Sequence, residues 1–172
     1  APALAVVVVV SYLLGHAYPG YGAGFYLQVA EEILAGGYAL PTHIPLYTDG
    51  GVPFAYPPLM FYVSAVLLDA GLEPVTVSFL VPSLAVVGHS VVYYAIAREF
   101  LPTREQAGVA AGLFAVTPPL LQWHLSAGGL VRAPAFLFSL LGCYVGIRVF
   151  VHGRRTWVFP GVALFALTIL TH

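Results

Sequence analysis

Three acids stand close together near the start of the chain: Glu31 and Glu32 in FYLQVAEEIL and Asp49 in TDGG. A carboxylate held beside an apolar phase can act as general base toward a hydroxyl acceptor. Arg132 offers different chemistry, because its planar and permanently charged fork matches the oxygens of a phosphate. Gln28, His43, His124 and His172 complete the polar set, and Tyr47 and Tyr56 can line a sugar or prenyl groove. Each residue also fits a plain structural role. Glu31 and Glu32 suit the solvated face of an amphipathic helix, and Asp49 suits a turn. His43 and His124 suit interfacial hydrogen bonds, Arg132 can snorkel from an apolar helix, and His89 reads as a core histidine. No His, Cys, Asp and Glu spacing marks a metal site, and Cys143 stands alone in an apolar run. A divalent metal is therefore compatible with the acids but has no ligand spacing behind it. Gly20-x-Gly22-x-Gly24 lacks the preceding strand that a dinucleotide fingerprint requires.

The elements that position these residues follow from composition. The chain of 172 residues is 60% hydrophobic and 8% charged, against roughly 25% charged in a soluble domain. All the basic side chains are Arg and none forms a run, which leaves no nucleic-acid footprint. We therefore expect an all-α integral membrane protein with about five transmembrane helices, since helices satisfy their own backbone in lipid. The expected spans are 1–15, 75–97, 107–123, 131–151 and 156–172, in a single module covering 1–172. The stretch 16–75 is the long polar excursion and carries all three candidate acids. Within it, Phe25, Val29, Ile33 and their neighbours form an apolar face opposite Gln28, Glu31 and Glu32, which predicts an interfacial helix near 25–35. A second interfacial helix is expected near 54–69, joined to the first by an irregular Pro-rich loop from Pro41 to Pro58. Because the chain opens inside one apolar run and closes at the end of another, it is expected to be a fragment of a longer protein.

Arginine placement predicts the orientation. Arg98 and Arg104 bracket one connection, and Arg148, Arg154 and Arg155 bracket another two spans later. Both belong on one side, which the positive-inside rule makes cytoplasmic. If 54–68 crossed the membrane, the loop 15–53 would be cytoplasmic. That loop holds no Lys or Arg, and fifteen residues reach only about 22 Å. We therefore place loop 16–75 outside, together with the 123–131 turn, Arg132 and His172.

The order of these elements resembles the amino-terminal part of the GT-C-fold membrane glycosyltransferases, which include protein O-mannosyltransferases and aminoarabinose transferases. The matching residues are Phe25 to Leu34, then Phe54-Ala55-Tyr56-Pro57-Pro58-Leu59, Val81-Pro82-Ser83 and Arg98. Gly128-Gly129-Leu130-Val131-Arg132 and Leu170-Thr171-His172 also match. The resemblance implies transfer of a sugar from a polyprenyl-phosphate donor to an extracytoplasmic acceptor, in a multi-pass protein of the cell membrane. It implies one of Asp49, Glu31 and Glu32 as base, Arg132 on the donor phosphate, and His43, His124, Tyr56, Gln28 and His172 around the substrates. Membrane lipid and further spans or subunits would be its partners. One departure matters: the family's catalytic acid precedes the first surface helix, where this chain has Gly22-Ala23-Gly24. Either another acid takes the role or the chain is inactive. The alternatives are a non-catalytic membrane scaffold, a lipid-binding subunit of a larger complex, or a small transporter.

Overall fold

The structure, a computed structural model, describes residues 2–126 and 129–172. The described residues are mostly helical, with eight α-helices and one small two-stranded sheet. Helix α1 runs over Pro2–Gly15, α2 over Ala23–Ala35 and α3 over Leu59–Asp69. They are followed by α4 at Pro74–Phe100, α5 at Arg104–Ala115 and α6 at Pro118–Leu121. A π-helical turn at Gln122–Ser126 leads toward α7 at Gly129–Phe150, and α8 at Val158–Thr171 follows. Two helices, α4 and α7, are long and apolar enough to cross a membrane, while α1, α3 and the segment ending in α8 are shorter apolar helices.

The helices α4 and α7 run parallel. A Cβ at Gly129 would meet Pro82, and one at Gly88 would press on Leu137. Further along the pair, Glu99 bonds Arg148 at 2.9 Å. Between these contacts the buried His89 donates Nε2–H to the Ala133 carbonyl at 2.8 Å. Parallel neighbours need a return connection, and α5, α6 and the π-helical turn supply it. Thr103 opens α5 by accepting from the Gln106 amide at 3.2 Å, a side-chain N-cap of the usual kind. Helix α8 then runs antiparallel to α7, with Phe165 against Gly142 and Gly161 against Val145. Helix α1 is antiparallel to α4, with Val9 packed near Ala85 and Val86 and Tyr12 edge-on to Phe79. The bundle thus has two distinct ends. One carries Arg98, Arg148 and Glu99, and the other carries Arg132, His172 and the start of α4.

The expected continuous helix over 107–123 breaks after Ala115. Thr117 takes ψ 118°, an extended value. Pro118 disfavours the helical region for the residue before it, and Pro118 and Pro119 donate no N–H to the preceding turn. The segment 41–58 also differs from expectation. Strand β1, His43–Ile44, pairs antiparallel with β2, Val52–Pro53, with His43 opposite Pro53 and Ile44 opposite Val52. Helix α3 starts at Leu59 rather than near 54, because Pro53, Pro57 and Pro58 hold the preceding residues out of a helix.

The loop 16–73 forms a small module on the Arg132 end of the bundle. Its core joins Val29, Ala30 and Ile33 of α2 to Ile44 of β1, to Met60, Phe61 and Ala65 of α3, and to Val131 of α7. Ile44 is fully buried and pins the hairpin to this core. The amphipathic pattern of α2 holds, since Val29 and Ile33 are buried while Glu31 is exposed.

A methyl group at Gly129 would collide with the His124 carbonyl and with Pro82. Gly129→Ala should therefore cost about 1–3 kcal/mol of stability through overpacking. At Gly108, in α5, an added Cβ meets open space, so Gly108→Ala should be neutral or stabilise by about 0.5–1 kcal/mol. Thermal unfolding of the two variants checks the contrast.

Candidate functional site

The start of α7 brings Arg132 to the bundle end on which the loop module sits. Three of the sequence-predicted residues converge there. Arg132 donates Nε–H to Nε2 of His172 at 3.2 Å. Nδ1 of His172 lies 3.3 Å from the Tyr56 hydroxyl, and the two rings tilt against each other at 5.7 Å. An arginine only donates, so Nε2 of His172 must be the acceptor. A neutral imidazole then carries its proton on Nδ1, and the Tyr56 oxygen accepts it. Burial and a bond to Tyr26 raise the Tyr56 hydroxyl above its ordinary range, partly offset by the charge of Arg132. His172 lies past the last turn of α8. There, burial first and the Arg132 charge second hold it below the ordinary histidine range.

His124 completes the cluster from the π-helical turn. Its Nδ1–H donates to the Leu120 carbonyl at 3.1 Å, which leaves Nε2 as a lone-pair acceptor. Burial lowers its pKa, with Arg132 and His172 adding to the effect. The Arg132 guanidinium lies 5.1 Å over the Trp123 ring, a cation–π arrangement that helps to fix the side chain. Phe136 stacks on His124 and stands edge-on to His89, so the polar cluster has an aromatic floor.

His124, Arg132 and His172 line one recess of about 340 Å³ between α7 and α8, together with Phe136, Ser139 and Thr168. Its residues on α7, 132, 135, 136 and 139, repeat at helical spacing, and His172, just past the end of α8, is four residues beyond Thr168. A second recess of about 470 Å³ opens farther along the same two helices. That one is almost wholly apolar, with Gly142, Gly146 and Gly161 opening it between Val145, Phe165 and Ile169. One end of the seam is therefore cationic and hydrogen-bonding, and its further course is oily.

The acids lie elsewhere. Glu31 lines a surface cleft with Glu73 between α2, α3 and the start of α4. Asp49 and His43 share a third recess at the hairpin tip. Gln28 bonds Glu32 at 3.1 Å along α2. Tyr47 packs edge-on to Phe25. Among the described residues no carboxylate lines the Arg132 recess, and no group of three His, Cys, Asp or Glu side chains converges as a metal site would require. Gly128, one of the residues carrying the sequence resemblance, lies outside the described residues. Sequence reasoning missed Trp123, Phe136, Ser139 and Thr168. For Phe136, Ser139 and Thr168, helical spacing from Arg132 and His172 was the available signal, but it becomes informative only once α7 and α8 are known to pair.

The chain matches no family model, no curated protein and no solved structure.

Specific ¹⁵N labelling of histidine tests the hydrogen-bond pattern. His172 should show the Nδ1–H tautomer in the intact protein. Arg132→Gln, which removes the guanidinium donor, should shift that tautomer balance while leaving His89, bonded to Ala133, unchanged.

Proposed function

We propose that this chain is a multi-pass helical membrane protein that holds a lipid-linked phosphate at the Arg132 end of the α7–α8 seam. The carrying observation is the pairing of one recess lined by Arg132, His124 and His172 with an apolar trough further along the same two helices. A lipid phosphate has that division of chemistry: an anionic head for a guanidinium fork and a hydrocarbon tail for an apolar groove.

The membrane setting rests on length and exposure. With 27 and 22 residues, α4 and α7 extend about 40 and 33 Å, enough for a hydrocarbon core of about 30 Å. Helix α8 leaves Phe159 84% and Ile169 72% exposed, surfaces that lipid would cover. The buried Thr171 of α8 turns its hydroxyl back onto the Leu167 carbonyl, which suits a medium without water. Arg98, Arg104, Arg148, Arg154 and Arg155 belong to the end opposite Arg132, so the positive-inside rule puts the loop module and the recess on the extracytoplasmic face.

Together with the sequence resemblance, this supports the donor-binding front module of a membrane glycosyltransferase that moves a sugar from a polyprenyl phosphate to an extracytoplasmic acceptor. Arg132 would hold the donor phosphate, with His124 and His172 beside it and Tyr56 reaching in from the loop module. Asp49, Glu31 and Glu32 belong to that same loop module and are the available bases. A second reading, a lipid-binding subunit without catalysis of its own, is favoured by the absence of a carboxylate among the described residues that line the recess.

Binding of farnesyl phosphate to the purified chain in nanodiscs tests the site. A charge-assisted hydrogen bond is worth about 1.5–3 kcal/mol, so Arg132→Gln should weaken binding roughly ten- to a hundredfold. Unchanged affinity would remove the phosphate site. With a sugar-loaded donor, Asp49→Asn should abolish transfer if Asp49 is the base, and an intact rate would exclude it. No transfer by the unmodified chain, despite lipid binding, would select the subunit reading.

A further inference from the structure

We propose that His172 gates the Arg132 site by protonation, so that binding of the anionic lipid recruits one proton onto its imidazole. This inference rests on the phosphate-binding reading above and specifies how that site is regulated.

The argument starts from what Nε2 of His172 is doing. It accepts from Arg132 at 3.2 Å, which only an unprotonated nitrogen can do. In the neutral state the imidazole therefore occupies the Nε edge of the guanidinium. The other nitrogen, bonded to Tyr56, ties the end of α8 to the loop module. A second proton on the ring would turn Nε2 into a donor facing another donor. Two cations would then sit in hydrogen-bond contact, an arrangement that persists only when an anion lies between them. A phosphate oxygen supplies that anion and accepts from both sides, from the Arg132 fork and from the new Nε2–H.

Among the described residues the groups facing His172 are few, and the one other imidazole is His124, whose Nε2 remains a lone-pair acceptor. From α7 the charged group facing His172 is Arg132, and from the π-helical turn it is His124, whose Nδ1 is committed to Leu120. The loop module contributes the neutral Tyr56, backed by Tyr26. Helix α3 also packs on α8. Its titratable groups are engaged elsewhere, Tyr62 on the Tyr38 carbonyl and Asp69 on the Tyr38 hydroxyl. The aliphatic Ala135 and the hydroxyls of Ser139 and Thr168 complete the recess. A proton added at His172 thus changes the charge of the recess, and among the described residues that line it there is no carboxylate to compensate.

The sign follows by linkage. Without ligand, burial and Arg132 depress the affinity of His172 for its proton. A bound anion raises it. Between the two values binding takes up a proton, so lipid affinity rises as pH falls and weakens as pH rises, by up to about tenfold per pH unit for one coupled proton. Above the higher value the imidazole stays neutral and affinity levels off at its low plateau.

The test uses the full chain in nanodiscs and a farnesyl methyl phosphodiester, whose single charge does not titrate over about pH 5 to 8. Affinity is measured across that range for the unmodified protein, His172→Gln and Arg132→Gln. Gln keeps a carbonyl acceptor for Arg132 but takes up no proton. The expected result is a pH-dependent affinity in the unmodified chain, a weaker and flatter profile near the high-pH plateau in His172→Gln, and weaker binding still at every pH in Arg132→Gln. Calorimetry of the unmodified chain in two buffers of different ionisation enthalpy reads proton uptake directly, whatever the fate of the variants. It should give a fraction of a proton that rises toward one within the coupled window. Tight binding with no pH dependence and no proton uptake would overturn the gate while leaving the phosphate site standing. Absence of binding, or binding indifferent to Arg132→Gln, would overturn the phosphate reading itself.

Discussion

The parallel packing of α4 against α7 is the constraint on which the rest of the structure depends. It is fixed by a close approach at Gly129 and Gly88 and by one buried hydrogen bond, from His89 to the Ala133 carbonyl. A buried imidazole without that acceptor would cost about 1–3 kcal/mol, so the bond sets the register of the two helices as well as holding them. Parallel neighbours cannot be joined by a tight turn, so α5, α6 and the π-helical turn must carry the chain back along the bundle. Their return places His124 beside the beginning of α7. The antiparallel α8 then delivers His172 to the same point. Three residues far apart in sequence, 124, 132 and 172, converge because of these two helix directions.

The two ends that result differ in chemistry. At one, the Glu99 carboxylate is paired with the Arg148 guanidinium at 2.9 Å and also meets Nε2 of His152 at 2.6 Å. At the other, the Arg132 charge is shared with a neutral imidazole and an aromatic face. Among the described residues no carboxylate lines its recess. A positive site kept in that condition suits an incoming anion better than a structural ion pair does. The loop module adds a lid-like neighbour through Tyr56. Its own fold depends on Ile44, Phe61 and Ile33 burying against Val131, so the module and the first turns of α7 share one core.

Much of this was legible in the sequence because it rests on local pattern. The apolar lengths of α4 and α7, the amphipathic spacing of Phe25, Val29 and Ile33 and the separation of Arg132 from the other arginines are all properties of short windows. The break at Thr117 was legible in principle, since Pro118-Pro119 forbids a straight helix there, but a hydropathy pattern passes over it. The hairpin of His43–Ile44 with Val52–Pro53 was not. Its strands are two residues each, and Ile44 is held by tertiary burial rather than by strand propensity. The recess was half legible. Arg132, His124 and His172 could be grouped by side of the bundle, but their contact with Tyr56, and the distance of Asp49 and Glu31 from them in separate clefts, depend on which helices pair. The pairing of Glu99 with Arg148 and His152 is hidden for the same reason, because it spans two helices that only the fold makes parallel.

The most direct test is of the two-ended arrangement across a bilayer, from which the site reading follows. With Cys143→Ala as background, Asp49→Cys marks the hairpin tip of the loop module and Gln106→Cys marks the opposite end of the bundle. Each is treated in intact cells with a membrane-impermeant maleimide. Labelling of Asp49→Cys with protection of Gln106→Cys is the predicted result and places the Arg132 recess on the extracytoplasmic face. Labelling of Gln106→Cys with protection of Asp49→Cys would contradict it, putting the recess in the cytoplasm and removing the basis for an extracytoplasmic lipid-phosphate site.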